Sequence, residues 1–343
     1  ASKSKKMSKE VAREIIDKLS NGRDKKLTLE FHGGEPLLNF DLIKYCVEYG
    51  NTKKLSDGNS IFTYGMQTNG TLLNDKKAKF IKENKIQVGI SIDGLAKRNN
   101  TTRIYRNGKG SFENILAGVN ILKKHNIPFG TIMVIKDLDA VDEVYNFMIE
   151  TDIHSVKLNN YFVQGRATSE SEVQKNMAEY GYKTLDLVDR LIEHNLMEKP
   201  NFKLNNASIL LKNILSPERN YMCTRFPCGA GDSMMGIDAD GSVYPCEEMN
   251  GKKELIVGNI VTDNLESILN SPTNKKLRTR GKESYECNDC GYISACEVSC
   301  ANRSFNESKN FYQKSEKCEY YKVMIPGLIE RVIDNPQGII TLI

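Results

Sequence analysis

Long apolar runs are missing from this 343-residue chain. The longest, such as FGTIMVI at residues 129–135, fall far short of the ~20 residues that a membrane-spanning helix needs. No signal-peptide pattern opens the sequence, so the reading is a cytoplasmic protein without a membrane partner. A long basic stripe is missing too. Lys and Arg number 48 against 44 Asp and Glu, for a net charge of +4, which argues against a nucleic-acid partner. Internal repeats and low-complexity tracts are absent, which excludes a repeat array. Cysteine is nearly absent from the first 222 residues, where Cys46 stands alone, yet eight follow between Cys223 and Cys318. Secreted disulfide scaffolds are small and cysteine-dense throughout, so this distribution argues for reduced thiols that act as ligands. Cys46, inside the helical pattern FDLIKYCVEYG, is expected to be core.

What is present is an ordinary globular composition, 39% apolar and 27% charged, in a chain long enough for two domains. Over the first ~165 residues strand and helix signals alternate. SKEVAREIIDKLS, FDLIKYCVEYGNTKKL, NDKKAKFIKEN, GSFENILAGVNILKKHN and VDEVYNFMIET have helical periodicity. KLTLEF, SIFTYGMQTNG, IQVGISIDG, PFGTIMVIKD and SVKLNNYF read as strands. Such alternation predicts parallel strands with crossover helices. The unusual residues Gly33-Gly34-Glu35, Thr68-Asn69-Gly70 and Ser91-Ile92-Asp93-Gly94 stand at strand ends, where parallel α/β folds bind ligands. Residues 168–220 read as a helical connection. From Cys223 hairpin signals and cysteines take over, with a last helix near YYKVMIPGLIERVID.

The cysteine spacings are Cys223-x4-Cys228-x17-Cys246 and Cys287-x2-Cys290-x5-Cys296-x3-Cys300-x17-Cys318. Eight thiolates make two sets of four, which suit tetrahedral zinc or [4Fe–4S] clusters, and spacing alone leaves both open. The ordered pattern from Cys228 through Gly241 and Cys246 to Cys318 resembles the SPASM domain of radical S-adenosylmethionine (SAM) enzymes. FHGGEPLL (31–38), QTNGTLL (67–73), GISIDG (89–94), RIYRNGKGSF (103–112) and VQGRA (163–167) are similar, in order, to the barrel segments of that family. The resemblance implies a partial (β/α)6 barrel over 1–167, the helical connection over 168–220 and a SPASM domain with a C-terminal helix over 221–343.

The resemblance also implies site residues. Cys223, Cys228, Cys246 and Cys300 would hold an auxiliary [4Fe–4S] cluster near the active site, and Cys287, Cys290, Cys296 and Cys318 a distal one. Gly33, Gly34 and Glu35 would meet the SAM amino group, since glycines bare their backbone and a carboxylate suits an ammonium. Asn69, Ser91 and Asp93 stand on the same rim, with Gln67 beside them. Arg103 would pair with the SAM carboxylate, although Asn99-Asn100 replaces the His-Asp usual in relatives. His32 reads as a satisfied strand-end histidine. The defining Cys-x3-Cys-x2-Cys does not occur in this chain. The reading is that the first barrel strand and its cluster loop precede Ala1, so that the intact enzyme carries a third cluster.

The activity implied is modification of a peptide or protein through the 5′-deoxyadenosyl radical, with an electron donor such as flavodoxin or ferredoxin. Two outcomes compete: a thioether or carbon–carbon crosslink in a ribosomally made peptide, and oxidation of a sulfatase cysteine or serine to formylglycine. Sulfatase-maturating enzymes typically carry an aspartate, a proposed base, after the cysteine equivalent to Cys246. This chain has Glu247, one methylene longer, which tilts the reading towards crosslinking. A non-catalytic protein with structural metal sites is the remaining alternative.

Overall fold

The computed structural model describes residues 6–163, 171–219, 221–280, 287–296 and 300–343. Helix α1 (Lys9–Ser20) opens with Ser8, whose side chain accepts from the Val11 amide, as a serine N-cap should. Strand β1 (Leu27–Phe31) follows, then α2 (Phe40–Gly50), β2 (Phe62–Thr68), α3 (Asp75–Glu83) and β3 (Gln87–Ser91). Asn74 caps α3 through the Lys77 amide. Next come α4 (Ala96–Thr102), α5 (Phe112–Lys124), β4 (Phe129–Ile135), α6 (Asp139–Asp142), α7 (Val144–Thr151) and β5 (Ser155–Asn160). The expected single helix VDEVYNFMIET is thus split in two. Then come α8 (Glu172–Lys175), α9 (Met177–Met197), β6 (Lys203–Leu204) and α10 (Asn205–Leu215).

All six strands are parallel, in the order β1 to β6. The alternating signals predicted five of them. β6 lies inside the segment read as a helical connection; it has two residues, too short for any period-2 pattern. Alternate residues of the strands bury towards the crossover helices: Phe62, Tyr64 and Met66 in β2, Val88 and Ile90 in β3, Met133 and Ile135 in β4. Each such side chain contributes roughly 1.5–3 kcal/mol through burial. Cys46 joins this core, and burial pushes its thiol up to about 12.

The cysteine-rich part carries a small antiparallel sheet of β7 (Gly236–Ile237), β8 (Ser242–Tyr244) and β9 (Gly258–Asn259). The β7–β8 turn at Asp240-Gly241 is the hairpin that the sequence signals. Helices α11 (Leu265–Leu269), α12 (Pro272–Thr279), α13 (Ala301–Ser308), α14 (Cys318–Asp334) and α15 (Pro336–Ile340) complete the chain. The last two do not bury against the small sheet. Met324, Ile325, Leu328 and Ile339 belong to the barrel's own core, with Leu187, Val188 and Leu191 of α9. Arg331 grips Asp189 of α9 with Nε at 2.6 Å and Nη2 at 2.5 Å, and Tyr180 stacks on Tyr320 with ring centroids 4.9 Å apart. The C-terminal helix expected as part of the 221–343 unit is therefore packed as part of the barrel.

The strand exits turn on Gly33 (φ 130), Gly70 (φ 75) and Gly94 (φ 101), left-handed conformations that glycine adopts without a Cβ penalty. Gly118 of α5 holds the Gly70 turn from behind; a Cβ there would stand 2.2 Å from the Gly70 carbonyl oxygen. The contact is backbone, so no side chain can move aside. Gly118→Ala is expected to destabilise the fold by about 1–3 kcal/mol, read as a lower denaturant midpoint at unchanged slope.

Candidate active site

Three loops meet at the C-terminal rim. Glu35 accepts from the Leu37 amide (3.0 Å) and the Thr68 hydroxyl (2.6 Å) with one oxygen, and from the Asn69 amide (2.8 Å) with the other. Its carboxylate therefore ties the exit of β1 to that of β2. Gly33 and Gly34 are exposed, with nothing within 4 Å of where a Cβ would stand. Their backbone is open to a ligand, as an ammonium site needs. Asn69 turns inward on its own loop, accepting from the Thr71 amide (2.9 Å) and hydroxyl (2.8 Å). Gln67 donates to the Ser91 hydroxyl at 2.9 Å, so neighbouring strands present joined polar groups.

Asp93 is buried and accepts from Arg103 Nη2 (2.9 Å), the Val134 amide (3.0 Å) and the Thr102 hydroxyl (2.7 Å). The guanidinium of Arg103 thus already serves a protein carboxylate. Its Nε is buried without a partner among the described residues. Asn99, fully buried, accepts from the Asp93 amide at 3.1 Å, and Asn100 accepts from the Phe112 amide at 3.1 Å. Asn99 and Asn100 thus hold the rim loop together. Of VQGRA only Val163 falls among the described residues.

The thiols assigned to the distal cluster sit on successive tight turns, with amide bonds Cys290 to Cys287 O, Cys296 to Tyr292 O and Cys318 to Ser315 O, all between 3.0 and 3.2 Å. Cys287, Cys290, Cys296 and Cys318 line one cavity, with Tyr292 and Ser315. Among the described residues no three His, Cys, Asp or Glu side chains converge as they would on one ion. Four thiols around one cavity supply the donor set that a [4Fe–4S] cluster takes. In the other set, Cys246 and Cys300 lie close enough to interact electrostatically. Cys228 and Cys246 pack on one apolar cluster with Tyr244, Met249 and Ala301. Cys223 sits in the turn Met222–Thr224, and the Met222 carbonyl accepts from the Gly229 amide at 3.0 Å, next to Cys228. Burial, then the Glu247 charge, push the Cys246 thiol well above its ordinary range. Iron would offset both by neutralising the thiolate.

Glu247 begins the turn Glu247–Met249 and is exposed, its carboxylate 3.2 Å from the Cys246 sulfur. Its charge acts on His32 at the β1 exit. The His32 imidazole is held above its ordinary value, first by its hydrogen bond to Glu30, further by the Glu30, Glu247 and Glu248 charges, and against partial burial. Sequence reasoning missed this convergence, along with Lys157, whose ammonium lies 4.4 Å from the Tyr221 ring centroid.

The sequence profile of the radical SAM superfamily matches residues 1–148, and that of SPASM, an iron–sulfur cluster-binding domain, matches 228–291. An uncharacterised protein of Methanocaldococcus jannaschii is 37% identical over 249 residues, 72% of this chain and 77% of that one. The chain belongs to the radical SAM superfamily. A cysteine-type anaerobic sulfatase-maturating enzyme of Clostridium novyi is 25% identical over 313 residues, 90% of this chain and 82% of that one. A radical SAM cyclopropyl synthase, TigE of Paramaledivibacter caminithermalis, is 26% identical over 332 residues, 92% and 63%. The solved structure of native anSMEcpe with bound AdoMet and Cp18Cys peptide superposes with a TM-score of 0.80 at 23% identity, covering 97% of this chain and 92% of that one. That of Streptococcus suis SuiB bound to precursor peptide SuiA gives 0.56 at 17% identity, covering 91% and 67%. These likenesses establish the fold. The radical SAM enzyme's cofactors are [4Fe–4S] clusters and S-adenosylmethionine. No helix among the described residues is long and apolar enough to cross a membrane.

His32 supplies a pH test. Its folded-state value is raised above 6.5, so its contribution to stability is full below ~6.5 and is lost as pH rises through the folded value. Glu30→Gln should flatten that decline in denaturation free energy; an unchanged slope would show that the pair does not form.

Proposed function

We propose that this radical SAM enzyme acts on a peptidyl substrate and forms a thioether or carbon–carbon crosslink in it. The observation that carries the reading is Glu247. It follows Cys246 with its carboxylate beside that sulfur, its charge acts on His32 of the rim, and it stands where sulfatase-maturating enzymes typically have an aspartate. A second reading, oxidation to formylglycine, is favoured by relatives of that activity whose similarity spans about nine-tenths of this chain.

In this proposal Cys223, Cys228, Cys246 and Cys300 hold one auxiliary cluster, and Cys287, Cys290, Cys296 and Cys318 the other. Reductive cleavage of S-adenosylmethionine supplies the radical that removes a substrate hydrogen, with flavodoxin or ferredoxin as electron donor. The exposed backbone at Gly33 and Gly34 receives the cofactor's ammonium, while Asn69 and Ser91 stand at the neighbouring strand exits. Glu35 holds the loop in place and Asp93 orients Arg103, whose remaining donors suit a carboxylate. The auxiliary clusters would accept the electron lost by the substrate radical, Glu247 the proton released with it, and His32 keeps the mouth of the site polar.

Mass spectrometry separates the two chemistries after anaerobic co-expression with the small proteins encoded beside the gene. A crosslink removes two hydrogens and keeps every heteroatom; formylglycine made from cysteine removes two hydrogens and exchanges sulfur for oxygen, and formylglycine made from serine, which has the mass change of a crosslink, is told apart by its reaction with a hydrazine. Product lacking both changes would defeat both readings. In the holoenzyme Glu247→Gln should lower product formation at least ~10-fold while S-adenosylmethionine cleavage persists. Unchanged yield would make Glu247 a surface acid.

A further inference from the structure

Arg303 and Glu316 form a junction that the cysteine pattern does not announce. Arg303 lies on α13, the helix capped by Cys300, and Glu316 stands two residues before Cys318, the first residue of α14. Arg303 Nη1 donates to Glu316 Oε1 at 2.5 Å, and each side chain is only 15% exposed. Asn160, buried at the end of β5, joins both. Its amide nitrogen donates to Glu316 Oε1 at 3.3 Å, and its Oδ1 accepts from Arg303 Nη1 at 3.5 Å. The Phe162 ring covers the guanidinium, its centroid 4.4 Å from Arg303 Cζ.

The junction therefore clamps three pieces of chain: the exit of β5, the helix that starts at Cys300 and the turn that leads into Cys318. In the proposed ligand sets Cys300 belongs to the proximal cluster and Cys318 to the distal one. The apolar packing in this region is limited, among the described residues, to Ala301, Phe305 and Phe311, with Phe305 stacked on Phe311. A paired charge with restricted geometry fixes orientation where packing is thin, because a planar guanidinium accepts few arrangements of its partner.

We propose that Arg303 and Glu316 are positioning residues that set the spacing and relative orientation of the two auxiliary clusters and hold them to the barrel rim. The proposal rests on the ligand sets above. It assigns neither residue to the clusters as a ligand; both act through the backbone that carries the cysteines.

The test uses the whole chain with its clusters reconstituted anaerobically from iron and sulfide, then reduced and examined by electron paramagnetic resonance. Two reduced clusters held at a fixed spacing give signals broadened by their mutual interaction. Arg303→Met and Glu316→Gln should each retain the iron and sulfide of the unaltered chain, yet change that interaction. Because the two residues form one unit, the double variant should change it no further than either single one. Arg303→Lys, which keeps the charge and loses the fork, should restore it only in part. Glu316→Gln keeps an oxygen for Asn160 and carries the test if Arg303→Met does not fold. An unchanged interaction in Glu316→Gln, or additive effects in the double variant, would overturn the proposal. Cys300→Ala and Cys318→Ala test the ligand sets separately: each should remove a different cluster's signal, and loss of the same signal in both would refute the sets while leaving the Arg303–Glu316 result to be read directly.

Discussion

The cysteine-rich region is held between two helices buried in the barrel, and this tether governs the rest of the structure. The chain leaves the barrel after α10, whose Leu210 and Leu211 are core residues, and returns at α14, which packs along α9. Between them the apolar clusters are small, the larger centred on Tyr244, Met249 and Leu277, the other on Val243, Ile260 and Ile268. A region with so little core needs further constraints. In the proposed ligand sets, eight thiols binding two clusters in interleaved fashion would supply them, because each set joins parts of the chain that are far apart in sequence.

Polar contacts complete the attachment. Lys18 of α1 donates to the carbonyls of Ile260, Val261 and Asp263 at 2.6–3.1 Å. Ile15 of the same helix buries against Val243 and Ile268. The helix that precedes β1 thus touches the small sheet directly. On the rim, Glu35 and Asp93 gather donors from neighbouring loops, so the ligand-binding edge is braced by carboxylates whose bonds are internal. The two roles are compatible. A braced loop holds its exposed backbone in one place, which is what recognition of a small polar ligand requires.

Much of this was legible in the sequence. The periodicity of the barrel helices and of each long strand is a local signal, and those elements emerged where expected. The SPASM domain was legible because its cysteines follow one another in a characteristic order along the chain. What escaped were pairings between distant residues: Lys18 with the 260–263 loop, Asp93 with Arg103 and Val134, Arg303 with Glu316. A charged residue in a sequence carries no sign of which partner it will meet. The last helix shows the same limit. Its amphipathic pattern announces a buried face but not the surface it covers, and the barrel, not the small sheet, provides that surface. The action of the Glu247 charge on His32 likewise required the fold.

Iron-edge anomalous diffraction from an anaerobically grown crystal tests the central claim most directly. The account predicts two four-iron centres in this chain, one bound by Cys223, Cys228, Cys246 and Cys300 and the other by Cys287, Cys290, Cys296 and Cys318. Two single tetrahedral zinc ions, or a disulfide between any two of these cysteines, would contradict it.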